Sequence, residues 1–313
     1  MIGSTCMKLA RNFDRWLFDS CHPVVCSILR IACASLLLVY WLVLYPELEY
    51  WFTDAGVMTS ATAQQIGQGV YGSLLFWLPS DGSTMHLFWW IMFVQTGLLW
   101  LGCFSRFQIA CIFIGLVSLQ HRNSYIFDGQ DTMLRMLCFC MIFMPLDYRW
   151  SLGRSIARRW GSARAANEPI GRVDALPSAW ALRLVQLQIS AVYLSTAWEK
   201  SQGLPWRNGT ALYYVSRMDD LFGRVPLPDS WFETPWLLAL MTWGVVVVEG
   251  LLPVGLWWRP TRKWALLAGI GLHLSIEATM HVFLFQWVMI VSLLSFLPAH
   301  APSNSVAERI TDE

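Results

Sequence analysis

Apolar segments long enough to cross a bilayer as helices recur along the whole chain, and one of them ends in a lysine. A helix needs about 20 apolar residues to span the hydrocarbon. The spacing predicts spans near Val24–Leu44, Leu87–Phe104, Phe107–Gln120, Met133–Pro145, Trp180–Trp198, Trp236–Trp257, Trp264–Thr279 and Val282–Leu297. The third, fourth and last are short, and are expected to extend into their flanks or to be sheltered by neighbouring helices. Hydrophobic residues make up 56% of the 313 and charged residues 14%, while 19 Trp and 17 Phe are enough for aromatic belts at both membrane interfaces. The fold class is therefore read as all-α: a polytopic helical membrane protein of about eight transmembrane helices, forming a single domain over residues 1–313.

Charge sets the expected orientation. Taking the connections alternately, one face collects 16 of the 22 Lys and Arg, including Arg106, Arg149, Arg183, Arg259 and Lys263. The other collects six, together with 11 of the 21 acidic residues. The positive-inside rule then puts both termini in the cytoplasm and the end of the fifth span outside. The net charge of +1 conceals this asymmetry. No basic patch interleaved with aromatics points to nucleic acid. Residues 1–20 mix Arg11, Asp14, Arg15 and Asp19 with apolar residues, which suits an uncleaved interfacial amphipathic helix. The polar stretch 151–178 is read as a cytoplasmic loop joining two halves of the domain. The localisation expected from this pattern is a multi-pass protein of the bacterial inner membrane, with membrane lipids as its first partners.

All eight cysteines lie in the first half, with no Cys-x-x-Cys pair and none in an exterior loop, so they read as small apolar side chains. Polar residues inside the spans are costly and carry more meaning. At about 100° per residue, Gln186, Ser190, Tyr193, Thr196 and Lys200 form one stripe along the fifth span. The chain uses 19 Arg but only three Lys, Lys8, Lys200 and Lys263. Arg cannot give up its proton, whereas a desolvated Lys can become a base or nucleophile. The plainer reading of the stripe is interhelical hydrogen bonding with a lysine reaching the interface. His273, Glu277 and His281 follow at intervals of four on the seventh span, and packing contacts, a proton relay and the lining of a quinone site all suit them. Further ligands for a metal shell are lacking, and no metal is expected. Glu249 is an intramembrane carboxylate of the same ambiguity. The segment from His121 to Asp131, with Arg135 one turn later, concentrates polar groups between two short spans and reads either as part of a site or as a solvated hairpin ending in a helix cap.

Four pieces in this order resemble the horizontally transferred transmembrane (HTTM) family, the membrane domain shared with vitamin K-dependent gamma-carboxylases. They are Asp128-Gly129-Gln130-Asp131 with Arg135; Phe143-Met144-Pro145 with Trp150-Ser151-Leu152; Tyr193 to Lys200 with Trp206, Asn208 and Gly209; and His273 leading to Phe283. The pattern departs at Ala197, where the family usually has glycine, and at Gln130. The resemblance implies a lysine base, at Lys200, for oxygenation of a reduced vitamin K or related quinol, and carboxylation-type chemistry on an unknown substrate. It makes Lys200, His273 and Glu277 the candidate catalytic residues, sharing one exterior-opening pocket. Tyr193, Trp206, Asn208, Asp131, Arg135 and His281 become candidates for substrate or quinol binding. The animal enzymes' large propeptide-binding domain has no counterpart here, which directs the expectation to a lipid or a small exported peptide. The alternative is a non-enzymatic membrane partner for maturation or export of a secreted peptide. A transporter is disfavoured by the absence of inverted repeats.

Overall fold

The computed structural model describes residues 11–18, 23–67, 72–160, 179–218 and 221–297. Among the described residues, eight helices pack into one bundle: α1 (Pro23–Leu44), α2 (Gly82–Leu101), α3 (Ser105–Arg122), α4 (Gly129–Ile142), α5 (Trp180–Gln202), α6 (Pro235–Trp257), α7 (Arg262–Thr279) and α8 (Phe285–Leu293), the last prolonged by a 3-10 turn, Leu294–Phe296. Consecutive helices pack against each other within α1–α4 (with α1 on α2) and within α5–α8, and α8 lies against α1, α4, α5 and α7 at the centre. No β-strand occurs among the described residues; one isolated bridge joins Phe222 to Met280.

The helix boundaries follow local chemistry. Asp81 caps α2 by accepting the Thr84 N–H at 2.8 Å, and Asp128 and Asp131 form a reciprocal capping box at the start of α4. Pro235 opens α6, where a missing N–H costs nothing. Residues 11–18 are helical and rest through Trp16 on Trp257 and Arg183, with Phe13 and Phe18 exposed. The stretch after Trp150 begins as a helix, Leu152–Trp160, rather than a loop; the remainder of 151–178 lies outside the described residues, as do Cys6, Cys21, Asp219 and Asp220.

Three segments are long and apolar enough to cross a membrane by length and composition: Val24–Phe52, Gly82–Leu101 and Pro235–Trp257. Among the others, α4 and α8 are short, and α5 and α7 are diluted by buried polar residues such as Gln186, Ser190 and His273. Such residues are tolerable in hydrocarbon only when turned inward and paired.

The two ends of the bundle differ in charge. At one end the fully buried Arg30 donates to Asp147 at 3.4 Å and to the Trp150 carbonyl at 2.7 Å, and Asp147 also accepts from Ser105. Arg106, Arg149, Arg154, Arg183, Arg259, Arg262 and Lys263 sit at the same end. At the other end Arg122 pairs with Asp54 at 3.3 Å, and Asn123 donates to the Trp51 carbonyl at 3.1 Å. Gly102 closes α2 in the left-handed conformation, φ 74°, with Arg30 and the Ser151 backbone filling the space a Cβ would need. Replacing Gly102 with Ala is therefore expected to cost about 2 kcal/mol or more, read as a lowered midpoint of thermal unfolding in detergent. A midpoint equal to wild type would show that the Arg30 clamp yields freely.

Candidate functional site

Helix α5 turns its polar stripe inward, and every member is hydrogen-bonded. Gln186 donates to the Ser295 carbonyl at 2.6 Å. Ser190 donates to the Gln186 carbonyl and accepts the Trp257 indole N–H at 3.0 Å. The Tyr193 hydroxyl shares a 2.7 Å hydrogen bond with His273 Nε2, and Thr196 donates to the Tyr193 carbonyl. At the end of the stripe, Lys200 Nζ donates to Glu249 Oε1 at 2.6 Å. The lower part of the stripe is interhelical glue, while its last turn holds an ion pair.

That pair joins α5 to α6 where water is scarce. Glu249 is 8% exposed and Lys200 24%. Glu249 Oε2 is buried with no hydrogen-bond partner. A carboxylate so placed retains unused acceptor capacity facing the lysine's surroundings. The ammonium also lies 5.0 Å from the centre of the Trp206 ring, a cation–π distance. Trp206 is held by local design. Helix α5 stops at Gly203, Pro205 starts the short helix Leu204–Arg207, and the Trp206 carbonyl accepts the Trp243 indole N–H from α6 at 3.1 Å. Gly209 then takes φ 72° directly against Ala239, a position no side chain would fit. Asn208 lies in this turn with its side chain exposed.

His273 is 3% exposed and uses both ring nitrogens, Nε2 with Tyr193 and Nδ1 with the Gln286 amide oxygen on α8. The amide oxygen can only accept, so Nδ1 carries the proton and Nε2 accepts the Tyr193 hydroxyl. Tyr193, His273 and Gln286 form one hydrogen-bonded chain across α5, α7 and α8, and two turns further along α5 the Lys200–Glu249 pair joins α5 to α6; together these two groups make up the polar layer of this half of the bundle.

Glu277 does not join this layer. It pairs with Arg224 of the 221–234 segment, which also donates to the Glu277 carbonyl at 3.0 Å. The stacking expected of His281 fails because α7 ends at Thr279; His281 instead donates its backbone N–H to the Leu221 carbonyl at 2.7 Å. Asp131 is buried at the start of α4 and belongs to a different cluster, its Oδ2 accepting the Asp128 N–H at 3.1 Å. Arg135 lies one turn further along α4. Among the described residues no hydrogen bond or ion pair connects Glu277, Asp131 or Arg135 to Lys200.

A family model described as the HTTM domain matches residues 70–300, most of the chain and all of the layer just described. The chain belongs to the HTTM family. It is also similar to the sporulation-delaying protein SdpB of Bacillus subtilis (strain 168), at 24% identity over 175 residues, 54% of this chain and 51% of that protein. The chain thus spans about half the length of the curated relative it matches. No solved structure matches it.

Two partners of the candidate residues escaped sequence reading. Gln286 sits in an apolar run as a lone amide, and its intramembrane position is the one signal that marks it. Arg224 lies in a connection with nothing to tie it to Glu277, 53 residues away. The Lys200–Glu249 pair has a measurable consequence in stability. Glu249→Leu alone is expected to destabilise by about 2–3 kcal/mol, below the ~3–5 kcal/mol of a fully buried pair because Lys200 is partly exposed. The Lys200→Met and Glu249→Leu double variant should recover at least half of that loss in a detergent unfolding titration. Additive losses would contradict a direct pair.

Proposed function

We propose that this HTTM-family membrane protein is an enzyme resembling the vitamin K-dependent gamma-carboxylases, with Lys200 as its base and Glu249 as the acceptor of the lysine's proton. On this reading the basic end faces the cytoplasm of a bacterial inner membrane and the Lys200 end faces out. The observation that carries it is the 2.6 Å Lys200–Glu249 contact with Glu249 Oε2 left unpartnered.

A lysine in water is a poor base at neutral pH because it is protonated. In a low-dielectric layer, transfer of one proton from Nζ to Glu249 converts a charged pair into a neutral amine and a carboxylic acid, and the environment favours that form more than water does. The neutral amine then takes a proton from a weakly acidic hydroxyl held beside Trp206. Glu249 holds the displaced proton, and Tyr193 and His273 stand next in the layer to pass charge onward. The aromatic face of Trp206 and the free acceptor on Glu249 fit the ring and hydroxyl of a reduced vitamin K or related quinol, which would supply the acidic hydroxyl and the electrons for oxygen. His273, with its Nδ1 proton held by Gln286, positions the Tyr193 hydroxyl rather than meeting substrate. Glu277 and His281, at the rim with Arg224 and Leu221, are better placed to hold the 221–234 segment over this end of the bundle.

A second reading, a membrane partner for maturation or export of a secreted peptide, is favoured by the exposed aromatics Tyr214 and Trp231 on the connection between α5 and α6, with Trp236 at the start of α6. The two readings separate on Lys200→Arg, which keeps the charge and removes the base. Membranes supplied with reduced naphthoquinone and oxygen are expected to form quinone epoxide, detected by mass spectrometry, with wild type. Lys200→Arg and Lys200→Ala should lower the yield about 100-fold or more, and Glu249→Gln about tenfold or more. Epoxide at wild-type yield from Lys200→Arg would remove the lysine from the chemistry.

A further inference from the structure

At the same end of the bundle, but outside the Lys200 layer, a cavity of about 260 Å³ opens between α1, the helical turn that follows it, the start of α4 and the α7–α8 connection. Leu44, Trp51, Phe127 and Phe283 supply apolar and aromatic walls. Tyr40, Gln130 and Asp131 line it with oxygens. Tyr40 is only 5% exposed, and its hydroxyl lies beside the Asp131 carboxyl but makes no hydrogen bond of normal geometry. The buried Gln130 side-chain oxygen has none either. Asp131, 3% exposed, uses Oδ2 for the Asp128 N–H. Glu47, the other acid on the wall, accepts the Trp51 indole N–H at 2.6 Å.

Buried polar atoms left unpaired in a folded protein call for a partner. Those converging here are acceptors arranged around a carboxylate, and with the Trp51 N–H taken by Glu47 the only wall donors left to them are the Tyr40 hydroxyl and the Gln130 amide nitrogen. A further acid is excluded by like charge. A hydroxyl satisfies one oxygen but leaves the carboxylate charge uncompensated. A guanidinium is planar, and its fixed fork suits one carboxylate rather than three oxygens on different elements. A primary ammonium carries three N–H donors on one tetrahedral centre, one each for Asp131, Gln130 and Tyr40. It offsets the carboxylate charge, and aromatic walls attract it further. The small volume, below the roughly 300–1,000 Å³ of drug-sized sites, admits a head group with a compact apolar body.

We infer that this cavity binds a primary ammonium carried on a small apolar group, through Asp131, Gln130 and Tyr40. Two sources offer that chemistry, a free amphipathic amine and the ethanolamine head of a lipid. Val43, on the cavity wall and half-exposed on α1, puts the opening beside the surface where lipid packs.

The test is calorimetric titration of the purified full chain in detergent with benzylamine, benzyltrimethylammonium and benzyl alcohol. Benzylamine is expected to bind about tenfold or more tightly than either of the others, since each of those lacks the N–H donors or the charge. Asp131→Asn should weaken benzylamine about tenfold or more, and Tyr40→Phe and Gln130→Leu by several-fold each. Because Asp131 also caps α4, Leu44→Trp provides a second arm, filling the cavity from its apolar wall without touching the polar groups, and it should abolish binding. Equal affinity for benzylamine and benzyltrimethylammonium, no benzylamine binding, or undiminished binding by Leu44→Trp would each overturn the assignment. Repeating the titration in nanodiscs separates the sources. Weaker benzylamine binding in phosphatidylethanolamine than in phosphatidylcholine identifies the lipid head as the occupant, and equal binding identifies a free amine.

Discussion

A charged pair between two helices of an apolar bundle, Lys200 on α5 against Glu249 on α6, fixes more of this structure than any other single contact. In hydrocarbon neither charge is tolerable alone, so the pair constrains how α5 and α6 meet, both in rotation and in height. Once α5 is rotated to bring Lys200 inward, the residues one and two turns before it, Tyr193 and Thr196, follow into the interior. Tyr193 then meets His273, and His273 meets Gln286. The short helix carrying Trp206 closes over the pair from the chain that leaves α5. Packing, hydrogen bonding and candidate chemistry in the second half of the chain all follow from that rotation.

The same constraint accounts for the uneven hydropathy of the helices. Helices α1, α2 and α6 keep sequences that read as membrane spans, whereas α5 and α7 carry the polar layer and lose apolar character to it. The first half of the bundle solves a different problem, anchoring its two ends through buried arginines. Arg30 gathers Asp147 and the Trp150 carbonyl at one end, and Arg122 gathers Asp54 and the Met58 carbonyl at the other. Guanidinium suits this role because it stays charged and reaches several acceptors in one plane. Lysine stands instead at the interior position beside Glu249.

Sequence was informative where the signal is periodic and local. Each helix-length apolar run coincides with a helix of the bundle, with ends displaced by a few residues, and three of these segments are long and apolar enough to cross a membrane; α5, for example, continues past Trp198 to Gln202, and α2 stops at Leu101 because Gly102 turns left-handed. The inward stripe on α5, ending at Lys200, was legible from spacing. What spacing does not encode is partnership between distant segments. Glu249 was visible as an unexplained carboxylate but not as the partner of Lys200, 49 residues away. Glu277 shares a helical face with His273 in sequence, yet it is claimed by Arg224 at the rim, while His281 falls past the last turn of α7. The cavity was legible only in part: the Asp128–Asp131 motif that supplies Gln130 and Asp131 was singled out, but nothing in the sequence tied it to Tyr40, a tyrosine in the apolar run of α1.

The most direct measurement of the central contact is a solid-state NMR distance between lysine 15Nζ and glutamate 13Cδ in protein reconstituted in lipid. With three lysines in the chain, the Lys200 signal is assignable from the Lys200→Arg spectrum. A coupling at contact distance that disappears in Lys200→Arg and in Glu249→Gln, and persists in Lys263→Arg, is the result expected of the Lys200–Glu249 pair. A Lys200 nitrogen with no glutamate carboxyl carbon nearby would contradict it, and with it the polar layer and the base proposed at its edge.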